Sequence, residues 1–119
     1  MKLDAQSLRR VLFAGLSLLL VGDLAAAGTP AAPSTIQIRF DGHQFAPQTL
    51  DVPAHRPLVI QVVNASSETI EFESFKLNRE VALTPGETIE VHLPALRPGR
   101  YDFYDDFHDS VPKGYLIAR

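Results

Sequence analysis

Residues 48–64 read QTLDVPAHRPLVIQVVN, and this stretch decides the fold. Gln48 to Val52 predicts a short strand closed by Pro53. Leu58 to Val63 is nearly continuous apolar, the pattern of a strand buried on both faces. Period-two alternation continues on either side of this pair. Ile36, Ile38 and Phe40 alternate with Gln37 and Arg39, Ile70 and Phe72 with Glu71 and Glu73, and Ile89, Val91 and Leu93 with Glu90 and His92. Tyr101 and Phe103 precede an acidic cluster, YLIA at 115–118 closes the chain, and residues 79–83 offer another short strand. Pro85-Gly86 and Pro98-Gly99 are turn signals, because proline presets φ for the second turn position and glycine accepts the φ > 0 that follows. The count is seven or eight strands with no convincing helix, which predicts an all-β, antiparallel Greek-key sandwich.

The first 27 residues read differently. Lys2, Arg9 and Arg10 precede an apolar run from Val11 to Val21, and Ala25-Ala26-Ala27 supplies small residues where a signal peptidase would cut. That is the grammar of a secretory signal, with cleavage expected after Ala27. The run is short for a membrane span of about 20 residues and Asp23 interrupts it, so no membrane insertion of the mature chain is expected. Residues 28–34 are Pro/Ala-rich and form a flexible lead to a domain at 35–119.

Cleavage would remove three of eleven Lys and Arg and two of fourteen Asp and Glu, leaving a formal charge of −4. With no basic stripe, nucleic acid and anionic membranes are poor partners. Zero cysteines exclude disulfides, thiolate metal sites and cysteine catalysis together. An exported domain without disulfides fits the bacterial periplasm.

Glu71 and Glu73 stand two apart on one strand, so both point away from the face that buries Ile70 and Phe72, with Cβ atoms roughly 7 Å apart. By themselves they read as a solvated strand face or as paired ligands. Asp105-Asp106-Phe107-His108-Asp109 puts three carboxylates and an imidazole within five residues. An Asp-rich turn gives such a pattern, and so does a cation that relieves the repulsion. His43 falls in the turn 41–44 as an exposed residue or a ligand, whereas His55 and His92 read as structural or solvated.

The segment order is similar to a cupredoxin domain: LDVPAHRPLVIQVVN resembles the Pro-turn leading into the central strand. RPGRYDFYDDFH…KGYLIA resembles the C-terminal ligand segment. Asp105 or Asp106 occupies the cysteine region of that segment, His108 falls near its histidine, and the single methionine, Met1, lies in the leader. Glu71-Phe72-Glu73, followed by LNREVALTPGETIEVHL, further resembles the cupredoxin-like domains of bacterial iron-transport systems. These are the N-terminal domain of EfeO-type proteins and the stand-alone component of Ftr-type ferrous-iron uptake. The resemblance implies one metal ion held by Glu71 and Glu73, by Asp105, Asp106 and His108 of the last loop, and by His43 of the first. It also implies partners in an iron-uptake system, namely a periplasmic iron-binding protein and an inner-membrane permease. Without a thiolate there can be no type 1 copper site. Oxygen and imidazole donors suit Fe(III), Fe(II), Cu(II) or Mn(II) better than Cu(I); Zn(II) can bind such donors but normally takes more nitrogen or sulfur. Binding and delivery of iron, or help in its oxidation, is expected rather than an enzyme in its own right. The alternatives are a copper-dependent ferroxidase, which oxygen-dependent Fe(II) turnover would reveal, and a metal-free interaction module, which metal titration would reveal.

Overall fold

In the computed structural model, the described residues are 22, 28–30 and 32–119; the expected leader and its cleavage site lie outside them but for Gly22. The chain forms β1 (Ser34–Phe40), β2 (Phe45–Ala46), β3 (Thr49–Val52), β4 (Leu58–Asn64), β5 (Ile70–Ser74), β6 (Arg79–Leu83), β7 (Thr88–Leu93), β8 (Gly99–Asp105) and β9 (Gly114–Ala118). One sheet has the order β2-β1-β4-β7 and the other β3-β9-β8-β5-β6. Inward side chains of both sheets meet in one core, with Ile38, Ile60 and Val62 from the first and Phe72, Phe103 and Leu116 from the second. At its centre Phe45 packs edge-on against Phe103 at 5.2 Å and Phe72 lies 5.4 Å from Phe103, the offset and edge geometries that aromatic quadrupoles favour.

Two features depart from the expected architecture. There are nine strands, because Phe45–Ala46 adds a two-residue strand that is too short to show a period. The sheets are also mixed rather than antiparallel: β1 runs parallel to β4, Ser34 opposite Leu58, and β3 runs parallel to β9, Thr49 opposite Tyr115. The chain leaves β1, visits the other sheet as β3 and returns as β4, and such a crossover brings the strand back in its original direction. The two Pro-Gly signals also diverge. Gly86 sits at φ 81° and its N–H reaches the Asn64 carbonyl at 2.8 Å, as a turn glycine should. Gly99 also has a positive φ, 159°, but that is close to extended, and it is the first residue of β8.

Asn64 ends β4 fully buried and holds the loop that leads to the site. Its Nδ2 donates to the carbonyls of Glu68 at 2.8 Å, Leu83 at 3.0 Å and Thr84 at 3.2 Å. Its Oδ1 accepts from the Ser66 N–H at 3.0 Å and Oγ at 2.6 Å. Asn64→Ala would strip partners from several polar groups at once, and each unpaired buried group costs about 1–3 kcal/mol. The variant is expected to lose about 2–3 kcal/mol in urea unfolding, with an unchanged m-value; a loss below about 0.5 kcal/mol would contradict this account of the loop.

Candidate metal centre

Strand alternation builds the site. On β5, Ile70, Phe72 and Ser74 enter the core, leaving Glu71 and Glu73 half-buried on the outer face. The register sets Glu80 of β6 opposite Glu73 on one side and Tyr104 of β8 opposite it on the other. Where β8 ends, the Asp106 N–H donates to the Glu71 carbonyl at 3.0 Å, which keeps Asp106 beside β5. One carboxylate oxygen from each of Glu71, Glu73 and Asp106 then lies within 4.8 Å of the others. Among the described residues, no other three such donors come as close.

The crowding shows in the electrostatics. A hydrogen bond shared with Glu80, then burial, then the charges of Glu80, Asp106 and Glu73 push the Glu71 carboxyl up to about 6. Burial, followed by the nearby carboxylates of Glu73, Asp106 and Asp102, raises the Tyr104 phenol as well. Like charges this close favour the protonated forms until a cation replaces the proton.

Asp105 turns the other way. It follows inward Phe103 and outward Tyr104 on β8, so its side chain enters the interior with no exposure. Its Oδ1 accepts the N–H of Glu71 at 3.0 Å and of Phe107 at 3.1 Å, and its Oδ2 meets His108 Nδ1 at 2.5 Å. The other ring nitrogen of His108 lies 2.8 Å from Glu68 Oε2. The hydrogen bond to Asp105 raises the His108 imidazole above its usual value, against the opposing effect of burial, and the charges of Asp105 and Glu68 add to it.

His43 stands apart from both groups. Its N–H and that of Gln44 donate to Asp41 Oδ1 at 2.8 and 2.9 Å, closing an Asx turn. It lines a cavity of about 470 Å³ together with Ser66, Glu68, His108 and Val111. The six residues expected to share one ion therefore fall into three places: Glu71, Glu73 and Asp106 on the sheet face, Asp105 and His108 in a hydrogen-bonded chain that runs from the interior to the cavity, and His43 on the cavity wall. Glu68 and Glu80 belong to these arrangements and were not singled out in the sequence. Glu80 alternates with Arg79 and Val81 on a strand the sequence does offer, whereas Glu68 carries no signal of its own. His55 adopts a left-handed turn conformation at φ 62°, and exposed His92 pairs with Glu90 at 3.3 Å.

The model of the cupredoxin-like domain matches residues 11–118. The chain belongs to the cupredoxin-like domain family. A curated relative, an uncharacterized protein of Rickettsia prowazekii (strain Madrid E), is 34% identical over 83 residues, covering 70% of this chain and 66% of that protein's length. Among solved structures, the metal-binding domain of the Cu(I)-exporting P-type ATPase CopA of Streptococcus pneumoniae D39 matches with a TM-score of 0.63 at 15% identity. That match covers 71% of this chain and 84% of that one. Auracyanin A, a blue copper protein of Chloroflexus aurantiacus, matches with a TM-score of 0.59 at 16% identity, covering 74% and 100%. At such identities these structures speak for the fold alone.

A blue-copper centre does not fit this cupredoxin-like domain. It has no cysteine, and the buried Asp105 near the segment's cysteine region already serves two backbone N–H groups and an imidazole. A cation that favours oxygen fits Glu71, Glu73 and Asp106, three carboxylates on one accessible face.

Proposed function

We propose that this domain is a periplasmic metal-binding component of an iron-uptake system, holding one ion at Glu71, Glu73 and Asp106. The ion is iron, as Fe(II) or Fe(III), or Cu(II). The convergence of three carboxylate oxygens within 4.8 Å carries this reading. Carboxylate donors suit these ions and disfavour Cu(I). The site lies on an outer sheet face, where an ion can be exchanged with a periplasmic iron-binding protein or an inner-membrane permease. The secretory-signal pattern of residues 1–27 and the likeness of the Glu-x-Glu strand to iron-transport domains support the compartment and the cargo. Among the described residues Glu71, Glu73 and Asp106 form one small site, which suits binding and delivery of a single ion.

Calorimetric titration of residues 28–119 with Fe(III), Fe(II), Cu(II) and Zn(II) tests this. One equivalent of iron or Cu(II) is expected to bind, with weaker Zn(II) binding. The Cu(II) form is expected to show only weak d–d absorption, because every donor is oxygen or nitrogen. An intense thiolate-type blue band would refute the ligand assignment, and no binding of any of the four ions would leave a metal-free interaction module.

A further inference from the structure

Two of the residues that the sequence assigns to the metal, Asp105 and His108, are not among the three convergent donors, and their polar atoms are already engaged. Asp105 is enclosed, and its two oxygens already meet two backbone N–H groups and His108 Nδ1. A carboxylate has about four acceptor positions, and the unused one lies in a side chain with no exposure. His108 is engaged at both ring nitrogens, at 2.5 Å by Asp105 and 2.8 Å by Glu68. To bind a metal it must release one carboxylate: releasing Asp105 leaves that group buried without its partner, and releasing the exposed Glu68 frees a nitrogen that is not among the donors converging with Glu71, Glu73 and Asp106.

The contacts of this chain of groups show what it does instead. Asp105 Oδ1 holds the Glu71 N–H while the Glu71 carbonyl holds the Asp106 N–H. The two backbones are thus tied in both directions at the place where two of the three convergent carboxylates begin. His108 then extends the tie to Glu68, whose carbonyl is itself held by Asn64 Nδ2 at 2.8 Å and Ser66 Oγ at 3.0 Å. The β4–β5 loop, the start of β5 and the last loop are joined by one carboxylate–imidazole–carboxylate brace.

We propose that Asp105, His108 and Glu68 are positioning residues that set Asp106 against Glu71, and that the ion is bound by oxygen alone. This rests on the metal-binding reading above. It departs from the expectation that the histidine of the last loop is a ligand. The brace fixes the loop through hydrogen bonds within the protein, so the carboxylate face is formed before the ion arrives. Outer partners of this kind orient ligands without touching the metal.

Electron paramagnetic resonance of residues 28–119 with one equivalent of Cu(II) decides the matter. The signal of the site is the part that Glu71→Gln with Glu73→Gln removes. That signal is expected to lack 14N couplings, and to keep its g and hyperfine values in His108→Gln and in Glu68→Gln. Affinity is expected to fall about tenfold or more in His108→Gln, and about two- to fivefold in Glu68→Gln, whose partner contact is half in solvent. Imidazole 14N couplings in the parent that vanish in His108→Gln would overturn the brace while leaving metal binding intact. Parent affinity in both variants would overturn it as well. If no Cu(II) signal depends on Glu71 and Glu73, the metal reading and the brace fall together. Glu68→Gln changes an exposed side chain, so it supplies a folded variant should His108→Gln unfold.

Discussion

Phe103→Ala and Gly114→Ala are expected to be among the most destabilising single changes in the domain, and their effects are expected not to add. Phe103 has no exposure and packs against Phe45 and Phe72. Removing such a ring leaves a cavity that a sandwich core cannot close, at a cost of about 3–5 kcal/mol. Gly114 opens β9 directly opposite Phe103. A Cβ there would lie 2.2 Å from two ring carbons of Phe103 and 3.0 Å from the Gln48 carbonyl oxygen. A rigid, enclosed ring cannot yield by that amount, so Gly114→Ala is expected to cost about 3 kcal/mol by overpacking. In the double mutant the added methyl enters the space the ring vacated. The combined loss is therefore expected to fall short of the sum by about 1–3 kcal/mol in urea unfolding. Strict additivity, or a Gly114→Ala midpoint equal to the parent's, would show that this contact does not limit the core.

That contact was not visible in the sequence, whereas much of the sheet pattern was. Alternation marks which residues share a face, and it sets Ile38, Phe40, Phe72 and Val91 on faces that the structure buries. It says nothing about which strand lies beside which, so the parallel pairings of β1 with β4 and of β3 with β9 went unread. The same rule explains the site. Glu71 and Glu73 are two apart and share a face. Asp105 and Asp106 are one apart, and since β8 runs to Asp105 they cannot share one. Reading DDFHD as a loop concealed this, and it grouped a buried structural carboxylate with an exposed one. Glu80 enters through the hairpin register opposite Glu73, and Glu68 through a loop shaped by Asn64. Both depend on tertiary neighbours that periodicity does not report.

Changing Glu71 and Glu73 together to Gln is expected to raise the dissociation constant for Fe(III) or Cu(II) by more than about a hundredfold, the upper end of what outer partners contribute. The metal-free variant is expected to melt at a higher temperature than the parent at neutral pH, because two like charges leave a crowded face. The pH dependence fixes the signs separately. Glu71 titrates at about 6 in the folded chain against an ordinary 4.5. Between these values the native state retains a proton that the unfolded chain has released. The contribution of Glu71 to stability is therefore greatest below about 4.5, falls as pH rises towards about 6 and levels off above it. Metal binding runs the opposite way, since the ion must displace that proton, and affinity is expected to weaken as pH falls through about 6. In Glu71→Gln the stability slope across this window is expected to shrink, and metal affinity to lose the part of its pH dependence that belongs to this group. Thermal melts of metal-free protein and calorimetric titrations at pH 5 and 7 measure both trends. If parent and variant keep the same slope and the same affinity at both values, the carboxylate face neither holds the shared proton nor binds the ion.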